Sequence, residues 1–520
     1  MNSILIFAAV ANGIFSSNMV LQRGEKIPVW GTGTDGEEVV VSFGGETKRC
    51  IAQGKQGLWE TELGPFDVST VGRDLKINST VCTNVLVGDV WHACGQSNMG
   101  WCLQATFDWE PFVKEETNAK LLRVISIGEC LTTGPRRDTP KHHTVPTWRP
   151  YDGLCPATPF FFSRRVAKET GVPIGVIHSS VGGSAMEVYI PFEFQKEEWY
   201  TGEMLKFWKT NRWDTKGGQS QTRMWIRRMR AYLDKMEKDI ATDQPPGTGT
   251  FRYQMPTLPQ AARYNGMIAP WVRLPVKGVI WYQGCNNMPY GFVELLDGVI
   301  DGFRWAHRKA DLPFYYVQLA PLGEVEPNPP VATLGGTKRL EQTKALRTRP
   351  HLGMALALDC GNVSIHPPEK VHVGERLARW ALKNEYGQTD LVTSGPMFKA
   401  MKIEGDKVRV SFDSLGSGLM VAKKDHLSNA EPVEQKGAAV PNFRLRDDRG
   451  TWHFADAVID GETVVVSAKG VTKPTAVRYG CFTAMRGQTH LYNREGLPAV
   501  EFATDDSPDP MPFKHQQKSK

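Results

Sequence analysis

No stretch of this 520-residue chain is apolar for long enough to span a bilayer, no run of like charges exceeds a few residues, no segment repeats, and no two of the nine cysteines form a C-x-x-C pair. Each absence removes a class of protein. A spanning helix needs roughly 20 apolar residues. The apolar run near the start, "ILIFAAVA" at 4–11, is far shorter and lacks the basic residues that precede a signal-peptide core. The chain as given therefore reads as cytoplasmic, with a trimmed secreted enzyme as the alternative. Only in the second case do the sequons at Asn78 and Asn362 carry weight. Cysteines scattered over 50, 82, 94, 102, 130, 155, 285, 360 and 481 spell neither a zinc site nor a disulfide framework. With 62 basic and 56 acidic residues the net charge is +6. That is mildly favourable to anions and gives no ground for a nucleic-acid or membrane partner.

What is present describes a globular chain: 41% hydrophobic and 23% charged residues, with a mean hydropathy of −0.35. The length exceeds a single core and suits two or three domains. Residues 1–85 read as a β-rich module, in which "MVLQ", "KIPVWG", "EEVVVSFGG", "TKRCIA", "GLWETEL" and "LKINSTVCTNVLV" are short alternating or β-branched runs between turns. From 86 to 389 strand-like runs ("LLRVISIG", "PIGVIHSS", "VKGVIWYQG", "PFYYVQLAP", "HLGMALALD") alternate with helical ones ("FFFSRRVAKET", "EKVHVGERLARWALKNE"). That alternation predicts an α/β fold with a parallel sheet flanked by helices.

An insertion at about 196–258 interrupts the alternation. Within it Trp225, Met229, Tyr232, Leu233, Met236 and Ile240 fall near helical spacing before "QPPGTGT". The stretch reads as an amphipathic packing helix, with a partner-binding helix as the second option. Residues 390–507 return to β structure, and 508–520 read as a disordered tail.

The chemistry gathers at strand ends. "TNVLVGDVW" is a buried-strand pattern that breaks into Gly95-Gln96-Ser97-Asn98. In an open parallel sheet, ligands bind at the carboxyl ends of strands. A serine there presents its hydroxyl to a cleft, although locally it serves equally as a helix cap. Three more strand ends add Gly182-Gly183, Gly284 to Asn287, and His366 before a Pro-Pro helix start. Together they supply a nucleophile, a base and oxyanion donors, the set that acyl transfer needs.

The blocks "GDVWHACGQSNM", "VGGSAMEVYIP", "YNGMIAPWVRLPVKGVIWYQGCNN" and "IHPPEKVHVGERLARWAL" resemble, in order, those of the sialate O-acetylesterase family, a branch of the SGNH hydrolases. Flanking stretches such as "FSSNMVLQRGEKIPVWGTG" and "YNREGLPAVEF" resemble it too. The resemblance implies an SGNH-hydrolase-like core between N-terminal and C-terminal all-β modules. It implies Ser97 as nucleophile, His366 as general base, and Gly183, the Ser97 amide and Asn287 as oxyanion donors. Gln96, Gln283 and Glu187 fall at supporting positions, Gln283 towards the nucleophile loop and Glu187 as a brace or a substrate contact.

Two positions depart from the family. Its third block usually reads W-Y-Q-G-E-S-N, and here Cys285 and Asn286 replace the Glu and Ser. The place three residues before the histidine, often Asp, holds Val363. Either Asp359 curls back to the imidazole as third member, or the site is a Ser-His dyad.

Other candidates have plainer readings. Cys94 and Cys285 read as packing residues, and His142 and His143 as solvated loop residues rather than metal ligands. Trp208, Trp213 and Trp225 stack on sugar or bury themselves. The expectation is a serine esterase that needs no metal or organic cofactor and removes O-acetyl groups from sugars, O-acetylated sialic acids first. Acetylated xylan or another polysaccharide is the alternative substrate. A carbohydrate-binding protein without catalysis and a peptidase are the alternatives of other classes. The sequence is silent on oligomeric state.

Overall fold

A computed structural model describes residues 9–119, 121–139, 146–199, 201–212, 214–242, 260–323, 333–483 and 487–505. His142, His143, Trp213 and the tail 508–520 lie outside them.

The first runs named above fold as strands: Val20–Gln22, Ile27–Thr32, Glu38–Phe43, Glu46–Ile51, Leu58–Leu63 and Ser69–Ile77. The next strand, β1 (Thr80–Gly95), is 16 residues long and changes role along its length. Its first half pairs antiparallel with Ser69–Ile77, and its second half lies parallel to two strands of the α/β core. The composition change near residue 85 thus falls inside one continuous strand.

Besides Val20–Gln22, which runs parallel to the middle of β1, five described strands form the parallel part of this mixed sheet: β2 (Leu122–Ser126), β3 (Ile174–His178), β4 (Gly278–Tyr282), β5 (Phe314–Gln318) and β6 (Leu352–Leu356). Their spatial order is β2-β3-β1-β4-β5-β6. The chain runs from β1 outward to β2, returns to β3 beside β1, then crosses to β4 on its other side. Strand order therefore reverses at β1, and a reversal of this kind opens a crevice at the carboxyl ends.

Strand residues alternate between two cores, as a two-residue side-chain period requires. Val279 and Trp281 face helices α4 (Phe292–Ala306) and α5 (Leu334–Ala345). Ile280 and Tyr282 face α1 (Ala157–Thr170) and α6 (Val371–Glu385), which pack against each other.

Beyond α6 the chain forms three small antiparallel sheets, starting with Met397–Glu404 and Lys407–Asp413. They are tied to the core by a fully buried ion pair between Arg339 on α5 and Glu501 (2.7 Å).

Among the described residues the insertion holds two helices, α2 (Gly202–Asn211) and α3 (Lys216–Ala241). The expected packing face is covered in part: Trp225, Met229, Tyr232 and Met236 are half-buried, whereas Leu233 and Ile240 are exposed, and of the residues described in α3 only Gly218 is fully buried. Helical period is a local property of sequence, whereas burial depends on what the helix meets. Among the described elements, α3 packs chiefly on α2.

Candidate active site

Why the strand stops at Gly95 is a matter of space. Gly95 has φ +135°, and a Cβ there would lie 2.3 Å from the Tyr282 carbonyl oxygen. Only glycine fits beside β4 at this point, and the chain turns to offer Ser97 above the sheet. The Gln96 amide donates to the Tyr282 carbonyl (2.9 Å) and the Val181 amide to the Gly95 carbonyl (3.2 Å), so the ends of β1, β3 and β4 are stitched together.

Side-chain amides extend the stitching. Gln96 Nε2 donates to the Ser184 carbonyl (2.5 Å), while its Oε1 accepts from the amides of Gly284 (3.2 Å) and Cys285 (3.1 Å). Gln283 meets the nucleophile loop only at second hand. Its Nε2 donates to the same Ser184 carbonyl (3.1 Å) and to Asn287 Oδ1 (2.5 Å). Asn287 Oδ1 also accepts from the Met186 amide (3.0 Å), and its Nδ2 donates to Glu187 Oε2 (3.1 Å). This network fixes which end of the Asn287 amide is the donor, and Glu187 braces it.

Gly182 runs beside Ser97: a Cβ added there would touch Ser97 Cβ at 3.5 Å. Gly183 takes φ +69°, an αL turn open to solvent, and its carbonyl accepts from Asn286 Nδ2 (2.8 Å). Asn286, one of the two departures in the third block, thus holds the glycine turn in place.

On the far side of the crevice, His366 Nε2 lies 2.7 Å from Ser97 Oγ. The two residues are 269 positions apart in the chain, and the fold brings them into direct hydrogen-bond contact. Burial and the nearby Lys370 ammonium both hold the imidazole below its ordinary pKa, which favours the neutral form that a base must have.

Asp359 does not join them, and the expectation of a third triad member is corrected. It is 3% exposed, with both oxygens on Arg376 (2.6 and 2.8 Å) and a further hydrogen bond from the Tyr492 hydroxyl (3.1 Å). A carboxylate so buried must be paired. The Arg376 guanidinium, one helix further along the chain, supplies the partner and draws the Asp359 side chain away from the imidazole. Val363 is 64% exposed. Among the described residues the His366 imidazole hydrogen-bonds Ser97 alone.

Three residues to which the sequence reading gave no role hold the His366 ring and its loop in place. Trp101 stacks on the His366 ring, with centroids 4.5 Å apart and planes inclined by 17°, and its own Nε1 is pinned to the Ala105 carbonyl (3.0 Å). Asn98 Nδ2 donates to the Ile365 carbonyl (2.9 Å). Lys370 Nζ donates to the Pro367 carbonyl (2.7 Å) and to Asn98 Oδ1 (2.7 Å). The residues on both sides of His366, Ile365 and Pro367, are therefore held by their carbonyls, one by the residue next to Ser97 and the other by a buried ammonium whose pKa burial brings down to about 8. No spacing rule flags such contacts; the only signal was that Asn98 and Lys370 lie inside the motif blocks. Cys94 is buried, its thiol pushed up to about 12 by that burial, and Cys285 is half-buried.

No family model matches the chain. The sialate O-acetylesterase of Mus musculus is 26% identical over 443 residues, which cover 74% of this chain and 75% of that protein. That of Homo sapiens is 24% identical over 455 residues, or 79% and 77%. A crystal structure described as a carbohydrate acetylesterase from Xanthomonas citri is 29% identical, superposes with a TM-score of 0.74, and covers 96% of this chain and 100% of that one.

Proposed function

For a chain that belongs to the sialate O-acetylesterase family and is an ester hydrolase, we propose a serine esterase of the SGNH type that removes O-acetyl groups from sugars through an acetyl-serine intermediate. The observation that carries this reading is the 2.7 Å hydrogen bond between Ser97 Oγ and His366 Nε2 at the sheet's reversal point.

His366 takes the Ser97 proton as Oγ attacks the acetyl carbonyl carbon. The oxyanion that forms meets the amides of Ser97 and Gly183 and Nδ2 of Asn287, a donor set held by Asn286, Gln283 and Glu187. The imidazolium then protonates the departing sugar hydroxyl. Water, deprotonated by the same imidazole, adds to the acetyl group, and Ser97 leaves with that proton as acetate is released.

A dyad without a carboxylate must fix its histidine by other means, because the carboxylate's task is to hold tautomer and orientation. Trp101, Asn98 and Lys370 supply the orientation.

O-acetylated sialic acid is the first substrate of this reading, in keeping with what the curated relatives are named for, and acetylated plant polysaccharide the second. The test measures acetate release from O-acetylated N-acetylneuraminic acid and from acetylated xylo-oligosaccharides, by the wild type and Ser97→Ala. Release from the sialic acid alone, lost in the variant, supports the whole reading. Release from the xylo-oligosaccharides alone keeps the mechanism and replaces the substrate. Release that survives Ser97→Ala removes the nucleophile.

A further inference from the structure

We propose that α3 is a dimerisation helix, pairing antiparallel with α3 of a second copy of this chain. The inference is independent of the catalytic reading.

The observations begin with period. Thr222, Ile226, Met229, Leu233, Met236 and Ile240 follow one another at alternating steps of four and three residues. This is the a/d seam of a two-stranded coiled coil. Trp225 and Tyr232 widen the apolar face on one side of the seam, and that side is half-buried. Every second position of the seam is open, with Ile226 37% exposed, Leu233 50% and Ile240 62%, while Thr222, Met229 and Met236 between them are half-buried. The helix is 26 residues long, about 39 Å at 1.5 Å per residue, and it begins on a firm cap, where Thr215 accepts from the Gly218 amide.

Charge selects both the occupant and its direction. Residues flanking the seam at the e positions are Arg223, Arg230 and Glu237, and at the g positions Trp225, Tyr232 and Asp239. In a parallel pair g faces e of the partner, which sets Trp225 against Arg230 and Tyr232 against Glu237, with no opposite charges matched. In an antiparallel pair e faces e, and Arg223 meets Glu237 of the partner subunit twice, once at each end.

The same register sets Ile226 across from Met236, Met229 across from Leu233 and Thr222 across from Ile240, so each branched side chain meets an adaptable or smaller one. The one like-charge contact is Arg230 against its own copy at the centre. Two and a half heptads make a short seam, so the dimer is weak, with a dissociation constant on the order of micromolar.

The test is mass by multi-angle light scattering on the full-length chain, over a concentration series spanning that range. The wild type is expected to pass from dimer to monomer on dilution. Leu233→Glu is expected to be monomeric throughout with acetylesterase turnover unchanged, which also shows that it folds. Arg223→Glu and Glu237→Arg each halve the mass, the double variant regains the dimer, and an equimolar mixture of the two single variants forms a heterodimer. Arg230→Gln strengthens association.

A wild type that stays monomeric at the highest concentration overturns the proposal, as does a dimer indifferent to Leu233→Glu. So does a monomer that sediments with anionic phospholipid vesicles through α3, because the helix then serves a lipid surface.

Discussion

Asp359 and His366 lie seven residues apart on one loop, yet their surroundings are opposite. The carboxylate is buried under Arg376 and Tyr492 and anchors the core to the C-terminal sheets. The imidazole is half-buried at the crevice, with one nitrogen on the Ser97 hydroxyl and its ring flat against Trp101. The loop thus divides two tasks that a triad combines, placing its charge where the fold needs it and its base where the chemistry needs it. The lesson is that a carboxylate near a histidine in sequence is claimed by the nearest buried cation before it is available to an imidazole.

Substitutions along this loop break the comparison in graded ways. His366→Ala is expected to lower kcat by roughly 10⁴-fold or more while leaving the thermal midpoint unchanged, as read by steady-state kinetics beside calorimetry. Lys370→Met removes the clamp on the Pro367 carbonyl and on Asn98, and the displaced base costs on the order of 10²-fold in kcat.

The Lys370 change also has a signature in pH. In the wild type, kcat/KM is expected to rise through a pKa below that of free histidine, because burial and the Lys370 charge both disfavour the imidazolium. Without that charge the imidazolium is easier to form, so the acid limb of the Lys370→Met profile moves to higher pH. A profile that stays put or moves the other way contradicts the assignment.

Trp101→Leu loses a ring stack of about 0.5–1.5 kcal/mol, hence a few-fold to roughly tenfold in kcat. Asp359→Asn sharpens the contrast from the other side. It leaves kcat within a few-fold at a temperature where the protein is folded, yet lowers stability by about 3–5 kcal/mol because Arg376 loses its buried partner. Denaturant titration and turnover on the same sample separate the two readouts.

Much of this was legible beforehand, and the rest was hidden for physical reasons. The strands of the parallel sheet showed as β-branched or aromatic runs because both faces are buried, and Gly95, Ser97, Gly183 and His366, which the fold gathers at the strand ends, stood out as turn and polar residues that interrupt those runs. The fate of Asp359 was hidden, since nothing in "MALALDCGNVSIH" announces that Arg376 will lie over it from the next helix. The clamp was hidden likewise: Asn98 and Lys370 are 272 residues apart, and only the folded sheet end makes them neighbours. In α3 the period was legible and its use was not, because a seam looks the same whether it closes on its own domain or on another copy.

The central claim, that Ser97 carries the acetyl group, is tested most directly by trapping the intermediate. Enzyme mixed with p-nitrophenyl acetate, quenched in acid within one turnover and digested, is expected to yield one acetyl group on the peptide containing Ser97, and none from Ser97→Ala. Turnover accompanied by an acetyl group on any other residue would contradict the account.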